Sequence, residues 1–427
     1  MKRRHISIIR DARLHTDKLG DALVDIHSLD GLITHVLRHV VRPDGSTERP
    51  ADPYSSRWWE SRPTERRAEG RVVLPAFVDC HTHACWVDPG IPARFSLGSH
   101  RLDEWEMKRN GTPYLDILRA GGGIMATVRA VRAATQSELA GLLHRHLNLL
   151  MDSGTRTVEV KSGYGLTTAD ELKMLRAIRD YPDWAEPTVV PTALLGHAID
   201  PDVPRDVFVK RTIGETLDAV HSEFPGITID AYCEEGAWSP DECEALFRRA
   251  DELGHPFRVH VDQFNSLGFT QRAIGLGALS VDHLEASTPA DVEAIIHGPA
   301  AGSSDLHQRH GPFAVALPAC GFHLDGRYAN LAPIAAAAPH RVCIATNLNP
   351  GSAPCWSMPF VIGLAVQHCG LSLGQAIAAA TINPARMLGF QDRGEIAIGK
   401  RADLIVLNTV DVRSLAFTSG LQLIYPH

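Results

Sequence analysis

No stretch of the chain approaches the ~18 consecutive apolar residues of a membrane span. The N-terminus MKRRHISIIRDARL, although basic at its start, lacks the apolar core and small-residue cleavage site of a secretory signal. A cytoplasmic protein is the expectation. The eight cysteines (Cys80, Cys85, Cys233, Cys243, Cys320, Cys343, Cys355 and Cys369) contain no CxxC pair. A chain of 427 residues does not need staples, so reduced thiols are expected rather than a disulfide framework. No basic block is long enough to neutralise a run of phosphates. With 42 basic against 50 acidic residues the net charge is -8, which argues against nucleic acid as a partner. The remaining composition, 44% hydrophobic and 22% charged, is that of a folded protein large enough for two or three domains or one large barrel with an appendage. Histidine is abundant: there are 22, several beside Asp, Glu or another His at the ends of apolar runs.

Residues 1–73 alternate apolar and polar residues between turn signals and contain no helix of useful length, which predicts short strands. From Arg71 onward, apolar runs alternate with helical segments. The eight runs are VVLPAFVDCHTH, TRTVEVKSGYG, TVVPTALLGHA, GITIDAYCEEG, PFRVHVDQF, GALSVDHLE, PFAVALPACGF and RVCIATNLNPG. Thr168 with Glu171, and Ser239 with Glu242 after Pro240, fit capping boxes, and Thr288 before Pro289 fits a capped helix start. Eight strands with intervening helices predict an α/β fold, a (β/α)8 barrel over 74–392, with an open doubly wound sheet as the alternative. The tail GEIAIGKRADLIVLN returns to strand-like residues. It is expected to join 393–427 to 1–73 in one small β-sandwich domain.

In such a barrel the chemistry collects at the C-terminal ends of the strands. The first run ends in Asp79-Cys80-His81-Thr82-His83, and alternation along an extended strand turns His81 and His83 the same way. An isolated HxH is more often packed or exposed than ligated. Here His260 ends the fifth run and His283 the sixth, so four histidines share one rim. That set suits a zinc or iron ion with a position left open for water. Cys80 falls on the opposite face from the histidine pair, and the other cysteines lack ligand spacing.

The segments PAFVDCHTH, RLDEWEMKRNGTPYLDILRAGGGI, TRTVEVKSGYGL, SVDHLE, NPGSAP and GEIAIGKRADLIVL, in that order, resemble those of the imidazolonepropionases of the amidohydrolase superfamily. KSGYGL and RAGGGI go beyond generic features of the superfamily. The resemblance implies a barrel with a small β-sandwich and one Zn or Fe ion. It also implies hydrolytic opening of 4-imidazolone-5-propanoate to N-formimidoyl-L-glutamate in histidine degradation, and it is compatible with a homodimer. Residue by residue, it makes His81, His83 and His260 the metal ligands and places His283 close to the attacking water. Arg101, Tyr114, Tyr164, His197 and Gln263 fall at positions that hold the substrate, and Asn349, Gly351 and Ser352 in the loop that contacts it. A guanidinium with tyrosine hydroxyls suits a substrate carboxylate on a short arm. Without the resemblance, Arg101 beside Asp103, Glu104 and Glu106 would read as a solvated ion-pair face.

One departure bears on mechanism. The related enzymes end the eighth strand with an aspartate that binds the metal and takes a proton from water, and here the residue is Asn347. An amide oxygen coordinates weakly and cannot accept a proton at neutral pH, and losing a general base costs about 10²- to 10⁴-fold in rate. Three neutral imidazoles leave the full charge of the ion acting on a bound water, which a tri-histidine zinc site brings to a pKa of about 7. His283 is the preferred residue for proton handling, ahead of Asp262. The change leaves two alternatives open: hydrolysis of a different cyclic amide or heterocycle, or a catalytically impaired binding paralogue. Gln263 stands where Glu also occurs in the family, WVDPGIPARFSLGSH is longer than the resemblance implies, and the tail LQLIYPH stops one strand short of it.

Overall fold

The computed structural model describes residues 5–16, 21–44, 46–54, 63–87, 101–112, 123–182, 184–298, 311–418 and 420–425. Tyr114, and the segment after the HTH motif from residue 88 to 100, lie outside the described residues.

The alternating N-terminal residues form β1 (Ile6–Leu14), β2 (Val24–Leu29) and β3 (Leu32–Arg38), followed by a small two-stranded pair, β4 (Val40–Val41) and β5 (Thr47–Glu48). Asp30 and Gly31 join β2 to β3 in two residues, both with positive φ (52° and 82°), the geometry that matches the twist of a tight hairpin. Next come β6 (Thr64–Arg67) and β7 (Val72–Pro75). β1 changes partner near Asp11, pairing with β6 through Ser7–Arg10 and with β7 through Arg13–Leu14. Ala12, Val24, Ile26, Ile33, Ala68, Val73 and Val406 form the core of this unit.

The run VVLPAFVDCHTH is two strands rather than one. Val72–Pro75 belongs to the small sheet and β8 (Phe77–Asp79) opens the barrel. The break falls at Ala76, whose N–H still bonds along the small sheet to Asp403 O (2.8 Å), while the next N–H, of Phe77, turns to Gly154 O (3.0 Å) on the barrel side. The barrel continues through β9 (Thr155–Lys161), β10 (Thr188–Gly196), β11 (Thr228–Cys233), β12 (Phe257–Val261), β13 (Ser280–His283), β14 (Phe313–Ala316) and β15 (Val342–Ile344), each parallel to its neighbour. Just past the strand ends, Asn347 N–H donates to His81 O (3.1 Å) and His83 N–H to Leu348 O (3.0 Å), stitching the eighth strand to the first. The eight predicted runs thus form a (β/α)8 barrel. β16 (Leu404–Val406) returns antiparallel to β7, and residues 423–425 pair beside it, so both ends of the chain meet in one sheet.

Ser239 with Glu242 and Thr288 with Asp291 form capping boxes, each with Pro at the first helical position. The pairing of Thr168 with Glu171 does not form. Thr167 is the cap, accepting from Asp170 N–H (3.1 Å), and Glu171 is turned to another task described below. Among the described residues, no helix is long and apolar enough to cross a membrane.

Candidate active site

β8 runs into His81 and His83, and β12 carries His260 as its fourth residue. The His81 and His260 rings lie 4.5 Å apart, His81 and His83 5.3 Å, and His83 and His260 5.4 Å, all buried. One nitrogen from each falls within 4.8 Å of the others. Burial, reinforced by neighbouring positive groups, holds all three far below the ordinary histidine pKa, so each is a neutral imidazole with a lone pair to give.

Two carboxylates set the direction of the lone pairs on His81 and His260. Asp282 Oδ2 lies 2.6 Å from His81 Nδ1, and Asp230 Oδ1 lies 3.1 Å from His260 Nδ1. A carboxylate at Nδ1 keeps the proton there and leaves Nε2 as the ligand atom. Asp282 in turn accepts from Arg258 and from Ser280 Oγ (2.6 Å), and Asp230 accepts from Lys161 Nζ (2.8 Å), which also reaches Glu159 Oε1 (2.8 Å). Burial opposes the charge on Arg258, but Asp282 and Glu159 raise its pKa above the ordinary value. The barrel interior at this level is therefore an ion network rather than an aliphatic layer.

Three buried polar atoms at the histidine cluster, His81 Nε2, His83 Nδ1 and Asn347 Oδ1, have no hydrogen-bond partner. Buried polar atoms are rarely left so, and a cation among the rings would satisfy His81 Nε2 and Asn347 Oδ1. Three neutral imidazoles and an amide oxygen are a donor set that fits a zinc or iron ion. Asn347 takes up a left-handed conformation (φ 53°), which its short polar side chain tolerates.

The cluster opens into a cavity of about 410 Å³ lined by His83, Arg101, Tyr164, His197, His260, Gln263, His283, Asn347, Asn349, Gly351 and Ser352. His81 sits among the other rings without lining it. Of the residues picked out in the sequence, only Tyr114 lies outside the described part.

Arg101 immediately precedes the helix Leu102–Arg109, and its side chain is buried rather than solvated. Its Nε donates to Glu104 Oε2 (2.7 Å), and Glu104 Oε1 accepts from Gly123 N–H (2.8 Å). The guanidinium lies so close over Gly351 that a Cβ there would meet Arg101 Nη1 at 2.1 Å.

Tyr164 packs against His197 (5.1 Å between rings), whose Nδ1 donates to Gly163 O (2.9 Å). Burial, only partly offset by that bond, pushes His197 down to about 4, so it is neutral. The KSGYGL loop is pinned by Glu171, whose buried carboxylate accepts from the N–H groups of Gly163 (2.9 Å), Gly165 (2.7 Å) and Leu166 (2.9 Å). In the NPGS loop, Asn349 Oδ1 accepts from Gly351 N–H (2.8 Å) and Ser352 N–H (2.7 Å), and its Nδ2 donates to Asn347 O (2.7 Å). Asn349 thus builds the loop on which Gly351 and Ser352 sit.

Gln263 accepts from Tyr232 OH at Oε1 (2.7 Å) and donates through Nε2 to Cys320 Sγ (3.2 Å). Asp262 faces away, accepting from Thr270 Oγ1 (2.7 Å) and Ser287 Oγ (2.8 Å). His283 lies 5.7 Å from the His260 ring. Burial pulls its pKa down, but Glu285 and a hydrogen bond with Cys320 more than compensate and raise it to about 10 in the protein alone. A cation on the neighbouring histidines pushes in the opposite direction.

Sequence reasoning missed the ion network and Glu171. The signal was present as charged residues two apart inside apolar strands, Glu159 with Lys161 and Arg258 ahead of His260.

A histidine cluster at the strand ends of an eight-stranded barrel defines a metal-dependent hydrolase class, and residues 72–422 match the model of the amidohydrolase family, to which the chain belongs. Within that family it groups with the imidazolonepropionases. It is 39% identical to the imidazolonepropionase of Deinococcus deserti over 356 residues, 82% of this chain and 81% of that protein. It is 38% identical to that of Symbiobacterium thermophilum over 367 residues, 84% and 80% of the two chains. Among solved structures, 5-methylcytosine deaminase from Klebsiella pneumoniae superposes with a TM-score of 0.65 at 17% identity, covering 96% of this chain and 93% of that one. An adenosine deaminase from Xanthomonas campestris with bound zinc gives 0.60 at 16% identity, covering 98% and 90%. These two likenesses concern the fold.

Proposed function

We infer that this protein hydrolyses 4-imidazolone-5-propanoate to N-formimidoyl-L-glutamate, the ring-opening step of histidine degradation, with one bound zinc or iron ion. The observation that carries the reading is that a cluster of three neutral histidines, two of them oriented by carboxylates, opens into the same cavity as a buried arginine packed over Gly351. A small cyclic amide carrying a carboxylate needs both. His81, His83 and His260 would hold the ion through their free ring nitrogens, with Asn347 Oδ1 as the adjoining oxygen donor. The ion supplies Lewis acidity, polarising the ring carbonyl and lowering the pKa of water.

The chain's own residues do the rest. Arg101 meets the propionate as a charge-assisted, bidentate donor, and Glu104 stops it from swinging away. Tyr164 and His197 flank the ring, with His197 neutral and therefore no competitor for the carboxylate. Gln263 offers its amide to the ring edge. His283 moves the proton from water to the departing ring nitrogen, because Asn347 cannot accept one. The same reading makes the protein a cytoplasmic enzyme that takes a small molecule rather than nucleic acid, and it is compatible with a homodimer.

The test is the loss of imidazolonepropionate absorbance by zinc-loaded and iron-loaded enzyme, followed by identification of N-formimidoyl-L-glutamate. Turnover by either form supports the reading. Absence of turnover with the metal site filled refutes it, and a panel of hydantoins, lactams and purines then identifies the substrate.

A further inference from the structure

With an amide at position 347, the proton relay lacks the carboxylate expected there. Most acids around the cavity are committed elsewhere. Asp282 and Asp230 orient the metal-site histidines, Glu171 holds the KSGYGL loop, and Glu234 ties Phe264 N–H (2.8 Å) and Asn265 Nδ2 (2.9 Å). Glu285 is different. Its side chain is 5% exposed, both of its oxygens lie 3.4 Å from His283 Nδ1, and its buried Oε2 has no hydrogen-bond partner. The backbone reaches this arrangement through two consecutive left-handed residues, neither of them glycine: His283 (φ 87°) and Leu284 (φ 75°). Such conformations are strained for residues with a Cβ and persist where the surroundings over-determine them. Here they accompany a carboxylate that returns, two residues on, to the far side of the imidazole.

We infer that Glu285 is the positioning residue of the relay. It holds the His283 ring in one orientation with a proton on Nδ1, so that Nε2 is the nitrogen turned to the cavity; the ring accepts a proton there in its neutral form, which a cation on the neighbouring histidines favours. This rests on the function proposed above and supplies its missing carboxylate.

The step balances. As the water oxygen bonds to the ring carbonyl carbon, one water proton passes to His283 Nε2. The imidazolium faces Glu285 and Cys320 on one side and the neutral His81, His83, His197 and His260 on the other. As the ring C–N bond breaks, the same proton moves to the departing nitrogen. The second water proton is released to solvent from the new carboxylic acid.

Two measurements on the zinc-loaded full chain test this. Histidine side-chain NMR, with the His283 signals assigned by their loss in His283→Asn, is expected to show an Nδ1 proton shifted downfield by the carboxylate and moved upfield in Glu285→Gln. Kinetics across pH is expected to show Glu285→Gln lowering kcat by about 10- to 100-fold with little change in KM. In an Asn347→Asp background the same change should cost less than about threefold, because a carboxylate at 347 then accepts the proton directly. An unprotonated Nδ1 on His283, or an equal loss of kcat in both backgrounds, overturns the assignment. An enzyme inactive on imidazolonepropionate sinks the proposed function instead, and the NMR result still decides the role of Glu285.

Discussion

Replacing Asp282 by Asn perturbs two balances at once, and their sizes can be worked from the geometry. One carboxylate oxygen, Oδ2, serves both His81 Nδ1 (2.6 Å) and Arg258. An amide fills the same space but carries no charge, and its NH2 group can face the ring and reverse the tautomer on which ligation by His81 Nε2 depends. Losing an outer partner of this kind weakens metal binding by about 10- to 100-fold, or 1.4–2.8 kcal/mol. The second effect falls on Arg258. Its remaining carboxylate partner, Glu159 Oε1, is 3.4 Å away, and the side chain is 3% exposed. A buried charge stripped of its main partner costs about 3–5 kcal/mol. Asp282→Asn is therefore expected to lower zinc affinity in a chelator competition and, separately, to reduce the metal-free protein's stability in urea. If zinc affinity stays within about threefold of wild type, Asp282 does not orient His81 and the account of the carboxylate shell is wrong. If only stability falls, the ion network is structural and independent of the metal.

Gly351→Ala introduces a Cβ that displaces the Arg101 guanidinium by about 1 Å, which should raise KM by about 10- to 100-fold with a much smaller effect on kcat; an unchanged KM removes Arg101 from substrate binding. Asn347→Asp restores a proton acceptor and should raise kcat, by up to about 10²-fold if His283 is an imperfect substitute; stopped assays with matched metal content decide it. Glu171→Gln replaces a carboxylate that receives three loop N–H donors. It should cost about 2–3 kcal/mol in chemical denaturation and raise KM, because Tyr164 rides on that loop. Burial, together with Lys108 and Arg101, lowers His323 to about 4 from 6.5. The folded state thus binds fewer protons there than the unfolded chain between those values. Its contribution is complete above pH 6.5 and is lost as pH falls towards 4, by about 1–2 kcal/mol after allowing for solvent screening. Denaturation curves should show wild type losing about 1–2 kcal/mol relative to His323→Phe as pH falls from 6.5 to 4, and a pH-independent difference between the two refutes it.

The barrel was legible because its eight apolar runs are long, separated by capped helices and ended by polar residues. The strand break at Ala76 was not, since VVLPAFVD is continuously apolar and only partners far along the chain, such as Asp403, divide it. The three histidines could be found from alternation and from their positions at strand ends. The carboxylates that orient them could not, because pairing Asp282 with His81 is a matter of barrel register across 201 residues. Arg101 misleads for a related reason. Its neighbours Asp103, Glu104 and Glu106 resemble a solvated face, and its burial comes from Gly351 on the opposite side of the barrel sequence. Glu171 was assigned to a helix cap because a Glu four residues into a helix can serve either the cap or the loop before it.

The sheet shared by the two ends of the chain has a consequence for biosynthesis. β7 pairs with β16 through Val73 and Val406, so a strand that leaves the ribosome early waits for one made more than three hundred residues later. At 5–20 residues per second that interval is roughly 20–60 s. During it, the edge of β7 and the apolar side chains of Val72 and Leu74 have no permanent cover. The nascent N-terminal unit is thus a client for transient protection, and the last strand to be synthesised is the one that releases it.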